Sequence, residues 1–393
     1  MKPLIRVPAG DVPRMLAQLR EAVLLDGPAV LPVPGDEDPG GPGDPIEQFV
    51  DDAVAVVVET SGSTDRPKRV ALSGAALRAS AGATSSWFGG VHGQWLLALP
   101  ATYIAGVQVL VRSLVAGTEP SVVPAGGFTP DGFVAAAREL DPDRPWFTSL
   151  VPVQLSRLVD AASDERSVRA ALGSFERILL GGQAAPAGLV ERAAGLGARV
   201  HRTYGSSETA GGCVYDGMAL PGVDVRIVDG EVRLAGRMLA EGYLDDPDRT
   251  ARAFVVDADG TRWYRTGDLG SIGDDGRLRI SGRADDVMIS GGVKVVLGEV
   301  ERAVHGVAGF GAAVVVAVPD AEWGERAAVV VGASDAAREP GALEGLRAAT
   351  DAAGLPPAGR PVRIVVVDEL PRLASGKPDR VAASALARSA AGD

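Results

Sequence analysis

Residues 59–73, ETSGSTDRPKRVALS, set four hydroxyl side chains, Thr60, Ser61, Ser63 and Thr64, around Gly62 and follow them with Lys68. Small residues let backbone N–H groups approach an anion, the hydroxyls add donors, and a lysine supplies a compact positive charge, so the segment suits phosphate. A Walker A loop would need glycine where Pro67 stands and Ser or Thr where Arg69 stands, so any phosphate site here is of another kind. Taken alone, the same residue types also make an ordinary polar turn.

Four further stretches carry chemistry of a matching sort. GGQAAP (181–186) brings Gly182 and Gln183 to a glycine-rich strand end, where a flat ring could lie against backbone. RTYGSSETAGG (202–212) puts Glu208 among small residues, suited to one Mg²⁺ ligand while nucleotide phosphates supply others. WYRTGDLG (263–270) presents Asp268 after a turn, and a carboxylate can accept both hydroxyls of a ribose. PRLASGKPDR (371–380) carries Lys377 on a second Gly/Ser turn. Each stretch by itself is equally an ordinary turn, cap or surface charge. Lysine is scarce, however: it occurs only at Lys2, Lys68, Lys294 and Lys377, and the remaining 35 basic residues are arginine. Lysines kept against that background at 68 and 377 point to a need for a point-charge ammonium.

The elements that must hold these residues follow from apolar patterning. AVAVVVE (53–59) reads as a buried strand, and residues 72–88 as a helix capped by Ser73. QWLLALP, RPWFTSLVP and FERILLGG read as strands; TPDGFVAAAREL, capped by Thr129, and PVQLSRLVDAA read as helices. Ligands in such alternating α/β sheets bind beyond the carboxyl ends of parallel strands, which is where residues 60–68 fall. From about residue 218 the pattern turns antiparallel, with GVDVRIVDGEVRLAG making two strands about an Asp229-Gly230 turn. A third pattern, helix–strand–strand–helix–strand, begins near 283. The expected fold is α/β: a large N-terminal domain of mainly parallel sheets with a small antiparallel β unit (1–282), and a small C-terminal α+β domain (283–393).

Bulk properties bound the partners. A net charge of −12 argues against a nucleic-acid footprint. The single cysteine, Cys213, cannot form an intramolecular disulfide, and the three histidines have no zinc spacing. No apolar stretch makes a clean membrane span, and 95–111 is interrupted by Pro100, Gly106 and Gln108. A cytoplasmic protein with no membrane partner is expected, with a homodimer left open.

In this order the motifs resemble the adenylate-forming superfamily of acyl-CoA synthetases, peptide-synthetase adenylation domains and luciferases. Residues 60–68 are similar to its T-S-G-[ST]-[ST]-G-x-P-K loop, YGSSE to Y-G-x-[ST]-E, YRTGD to Y-x-T-G-D, GRADDVMISGG to its G-R-x-[DK]-D hinge segment, and PRLASGK to P-x-x-x-x-G-K. The resemblance implies that 60–68 holds the β- and γ-phosphates of ATP, Glu208 and Thr209 contact Mg²⁺ and the α-phosphate, and Asp268 and Arg283 hold the ribose. It further implies that Tyr204, with Gly205, lies against the adenine, and that Asp285 is the hinge of a mobile lid. Gly291 and Gly292 would line the pantetheine tunnel for coenzyme A, and Lys377 would bridge carboxylate and α-phosphate during adenylation. The chain departs from the pattern at Asp65, which replaces a loop glycine, and at Arg69.

The implied reaction is attack of a carboxylate on the α-phosphorus of ATP, then transfer of the acyl group to a thiol. Residues 97–118 look most like those of the family's o-succinylbenzoate-activating ligases of menaquinone biosynthesis. That acid has a second carboxylate, for which Arg112, Gln108, Ser206 and Tyr103 are candidates; Arg112 reads equally as a charge on a helix surface. An enzyme loading aryl or fatty acids onto a carrier protein, and a catalytically impaired nucleotide-binding regulator, are the rival expectations.

Overall fold

The computed structural model describes residues 1–35, 49–60, 68–124, 126–186, 188–333, 335–372 and 378–390. Within them, helices pack on four β-sheets. In the first sheet Ala29–Val33 lies parallel to both Lys2–Pro8 and Val54–Thr60. Lys68–Ser73 then returns antiparallel to Val54–Thr60, setting Thr60 opposite Lys68. The strand before residue 61 is as the sequence suggests, but the strand that begins at Lys68 is not. Lys-Arg-Val-Ala-Leu-Ser has only three consecutive apolar residues and no period of its own, so its pairing to a fully buried neighbour makes it a strand.

The second sheet is the parallel one. Val200–Ser206, Phe175–Leu180, Trp146–Leu150, Gln94–Leu97 and Ser121–Val122 run parallel in that spatial order, and Gly211–Tyr215 followed by Met218–Ala219 extend the first edge antiparallel. Helices Gly74–Trp87 and Ile104–Ala116 bury between the first two sheets, joined in one core by Val56, Leu77, Leu110 and Tyr215. The caps are those the sequence indicates: Ser73 Oγ accepts from the Ala76 N–H at 3.2 Å, and Thr129 Oγ1 from the Gly132 N–H at 3.1 Å.

The third sheet is antiparallel throughout. Val223–Val228 and Glu231–Gly236 pair about Asp229 and Gly230, both at positive φ, as expected for that dipeptide. Asp268 is not at a turn: it lies within the long strand Arg262–Ile272, opposite Arg283 on Leu278–Arg283. The glycine and aspartate of YRTGDLG suggested a turn; Gly267 does stand at φ 69°, where the register with Glu231–Gly236 shifts, but the ladders on both sides carry the strand through this bulge.

The fourth sheet is built from residues after 286. Gly324–Gly332 lies between Val314–Asp320, antiparallel, and Arg363–Val367, parallel, with Leu297–His305 and Ala342–Ala352 on one face and Arg380–Ser389 on the other. Its two apolar clusters share no residue with the core of the first sheets. Among the described residues no helix is long and apolar enough to cross a membrane.

Candidate active site

A cleft of about 350 Å³ opens where the first three sheets meet. Lys68 enters from the start of its strand, Tyr204, Gly205 and Ser206 from the end of theirs, and Glu208 from the one-turn helix Ser207–Thr209. Asp268 and Arg283 come from two paired strands of the third sheet. Seven residues singled out in the sequence, from four separate stretches, therefore line one cavity.

The hairpin behind Glu208 explains its placement. A Cβ at Gly205 would sit 2.2 Å from the Gly211 carbonyl oxygen, so only glycine lets strands Val200–Ser206 and Gly211–Tyr215 close at that point. The connecting turn passes through Ala210 in a left-handed conformation, φ 48°, with its carbonyl accepting from Ser80 Oγ at 2.9 Å and Gln108 Nε2 at 2.8 Å. Thr209 does not face the cleft. It is fully buried, and its Oγ1 bonds backbone groups of Ser206 and Gly211, so it shapes the turn that carries Glu208.

Glu208 is buried, and its Oε1 accepts from the Tyr243 hydroxyl at 2.9 Å. Burial and the neighbouring carboxylate raise the pKa of Tyr243, which therefore stays a donor. Lys68 Nζ lies 6.0 Å above the Tyr243 ring. Across the cleft, Asp268 is bonded on both oxygens: Tyr204 donates its hydroxyl to Oδ2 at 2.6 Å and Arg283 Nη1 donates to Oδ1 at 3.1 Å. Burial raises the Asp268 pKa, and these two donors only partly offset it. Arg283 also donates through Nε to Asp285 at 3.1 Å, so one guanidinium joins a cleft carboxylate to the segment that leads into the fourth sheet. Burial works against the charge of Arg283, but the two carboxylates outweigh it and raise its pKa.

Arg112 is no surface charge. It is buried on helix Ile104–Ala116 with its guanidinium 4.9 Å from the Trp95 ring centre. Among the described residues its Nε has no partner, and its hydrogen bond to the Tyr215 hydroxyl is long at 3.5 Å. Among the described residues no carboxylate pairs with it, and burial lowers its pKa. Gln108, one helical turn earlier, lies against the turn at Ala210 and Gly211, with its Oε1 buried and unpartnered. The helix thus presents an amide to the turn at Ala210 and then a guanidinium to a separate small cavity lined by Thr84, Phe88, His92, Trp95 and Phe147.

Other singled-out residues are dispersed. Tyr103 caps the start of the same helix without a side-chain bond, and Gly182 and Gln183 follow strand Phe175–Leu180 outside the cleft lining. Gly291 and Gly292 form the tip of the hairpin Val287–Ser290 to Val293–Val296 in the fourth sheet. Ser61, Gly62, Ser63, Thr64, Asp65 and Lys377 lie outside the described residues. The sequence reading missed Tyr243, Tyr264, Arg249 and Arg265 in the lining. Tyr264 and Arg265 stand inside the YRTGD motif and could have been taken with Asp268; nothing local marks Tyr243 or Arg249. Cys213 is buried, and burial pushes its thiol up to about 12, which removes it as a nucleophile.

The AMP-binding enzyme family profile matches residues 11–244, and the AMP-binding enzyme C-terminal domain profile matches 299–377. The chain is 38% identical over 387 residues to the "Probable 2-succinylbenzoate–CoA ligase" of Mycobacterium tuberculosis, covering 96% of each. It is 28% identical to the 2-succinylbenzoate–CoA ligase of Lactococcus lactis, covering 84% of this chain and 70% of that one. Among solved structures, wild-type E. coli MenE with a bound m phenylether-linked analogue of OSB-AMS superposes with a TM-score of 0.72 at 27% identity, covering 98% of this chain and 88% of that one. The amide bond synthetase McbA from Marinactinospora thermotolerans does so with a TM-score of 0.74 at 28% identity, covering 98% and 80%. By profile, by identity along nearly its whole length and by fold, the chain belongs to the AMP-binding enzyme family.

Proposed function

We propose that this chain is an AMP-forming acid–thiol ligase that converts 2-succinylbenzoate, ATP and coenzyme A to the acyl-CoA, AMP and pyrophosphate. The observation that carries the reading is the convergence of Lys68, Tyr204, Glu208, Asp268 and Arg283 on one cleft. Residues 1–282 form the nucleotide- and acyl-binding part in this reading, and 283–393 the lid that brings Lys377.

Each residue has work its geometry suits. Asp268, oriented from both sides, accepts the ribose hydroxyls, with Tyr204 beside the adenine. Lys68, at the mouth of the loop 61–67, meets the outer phosphates, and Lys377 bridges the α-phosphate and the attacking carboxylate. The chemistry asks little covalent help of the protein, so positioning and charge carry it. Mg²⁺, when bound, neutralises phosphate charge; Glu208 would hold it. One cleft carboxylate fits an ion whose other ligands are phosphates and water, and no group of three or more ligating side chains occurs among the described residues.

The second carboxylate of the acid needs a cation out of water. Arg112 supports this: a buried guanidinium without an acid partner is costly unless a ligand completes it. The test is pyrophosphate release from ATP and Mg²⁺ with 2-succinylbenzoate, beside a Lys377→Ala control. Release that requires the acid and is lost in the variant supports the reading; release with a fatty acid but not with this acid rejects the substrate.

A further inference from the structure

The short helix Pro247–Ala253 is seated on Gly242–Tyr243, the strand that carries Tyr243. Thr250 Oγ1 accepts from the Tyr243 N–H at 2.9 Å and donates to the Asp246 carbonyl at 2.9 Å. A Cβ at Gly242 would lie 2.5 Å from Thr250 Cγ2, so helix and strand meet there with no room for a side chain. The strand is itself paired to Lys68–Ser73, with Tyr243 opposite Val70. Arg249 and Arg252, one turn apart on the helix, both line the cleft. The Arg249 guanidinium lies 5.8 Å from the centre of the Tyr243 ring, against which Lys68 Nζ also lies, at 6.0 Å.

The charges of the cleft do not cancel. Arg265 is paired with Glu231 at 3.0 Å, and Arg283 with Asp268 at 3.1 Å. Of the other described charged residues in the lining, this leaves Lys68, Arg249 and Arg252 against Glu208 alone. Arg249 has a further acid in Asp246, at 3.5 Å, but that carboxylate is already engaged as the helix cap, where it accepts from the Arg249 N–H at 2.9 Å. A chain of net charge −12 thus gathers an excess of positive side chains in one corner of its cleft, which suits a polyanion.

We propose that Arg249, with Arg252 beside it, binds the pyrophosphate released in the first half-reaction and the corresponding phosphates of ATP, as a cationic wall next to Lys68. The proposal rests on the acid–thiol ligase reading given above and adds to it the residues that take the leaving group. As the carboxylate oxygen bonds the α-phosphorus, the bridging oxygen departs with its electron pair, and negative charge grows on the pyrophosphate with no proton required. Guanidinium groups meet such phosphate oxygens with paired N–H donors. AMP carries neither of these phosphates, so it makes no use of the wall. The 3′-phosphate of coenzyme A has the same chemistry, and the measurement below separates the two.

Binding of magnesium pyrophosphate and of AMP to the full chain is followed by calorimetry. Arg249→Met should weaken pyrophosphate by about tenfold, the scale of a hydrogen bond to a charged group, and leave AMP within about twofold. Arg249→Lys, which keeps the charge but not the fork, should lose less, and Arg252→Gln, at the more exposed position, about threefold; both secure the test if the methionine variant folds poorly. In ATP–pyrophosphate exchange with 2-succinylbenzoate, the KM for pyrophosphate should rise in parallel. Equal weakening of pyrophosphate and AMP would mark a general disturbance of the cleft and overturn the proposal. Unchanged pyrophosphate binding would overturn it too, and if coenzyme A is then weakened while dephospho-coenzyme A is not, the wall belongs to the 3′-phosphate. A wild-type protein that binds neither AMP nor pyrophosphate contradicts the ligase reading itself, and the proposal falls with it.

Discussion

Tyr204 donates its hydroxyl to Asp268 at 2.6 Å, and this bond sets the chemistry on one side of the cleft. Only the ionised carboxylate can accept two further hydroxyls. Burial pushes the Asp268 pKa above the usual carboxylate range, while Tyr204 and Arg283 pull it back part of the way. The acidic limb of kcat/KM for ATP should therefore fall above the ordinary carboxylate range. Tyr204→Phe removes a donor to the charged form, so it should move that limb to higher pH and raise KM for ATP by about tenfold, the scale of a hydrogen bond to a charged group. A pH–rate series on the two proteins checks both shifts; an unmoved limb would assign it to another group.

Arg112 gives a prediction with two signs. Replacing it with methionine removes a buried charge that has no acid partner, so the melting temperature should hold or rise. The same change should raise KM for 2-succinylbenzoate by about 10- to 100-fold, the value of a charge-assisted bond, and leave benzoate nearly unaffected. Thermal melts and a two-acid comparison measure the two effects independently.

Tyr243→Phe tests how Glu208 is held. Loss of the 2.9 Å bond frees a buried carboxylate oxygen and one orientation constraint. Half-saturation by Mg²⁺ should rise by about three- to tenfold. Direct titration with Mn²⁺ in the presence of ATP should weaken in parallel, a readout independent of turnover.

Much of this arrangement was legible in the residues. Ser73, Thr129 and the Asp229-Gly230 turn act through local chemistry, a cap or a left-handed pair, so their types announce them. Asp268 and Arg283 were legible as chemistry but not as structure, because the ladders holding Asp268 in a strand come from residues far along the chain. Strand Lys68–Ser73 was hidden for the same reason. Tyr243 was missed because its role depends on meeting Glu208, 35 positions away, and nothing local records that contact. Arg112 could be named as a candidate but not separated from a surface charge until its burial was seen.

Gly291→Ala probes the hairpin of the fourth sheet. Gly291 has φ 56°, and a Cβ there would meet the Trp323 ring at 2.5 Å. Left-handed strain and the clash together should cost about 1–3 kcal/mol. The exposed Trp323 should report the shift by a changed fluorescence maximum; an unchanged maximum with unchanged stability would show that the hairpin relaxes freely.

The central claim is that one cleft activates one particular dicarboxylic acid and passes it to coenzyme A. It is tested most directly by following acyl-CoA formation with ATP and Mg²⁺ across 2-succinylbenzoate, benzoate and a medium-chain fatty acid. The account predicts a kcat/KM for 2-succinylbenzoate at least about a hundredfold above the others, from the second carboxylate alone. Equal or better turnover of an acid with one carboxylate, or acyl-adenylate that accumulates without thioester when coenzyme A is supplied, would contradict it.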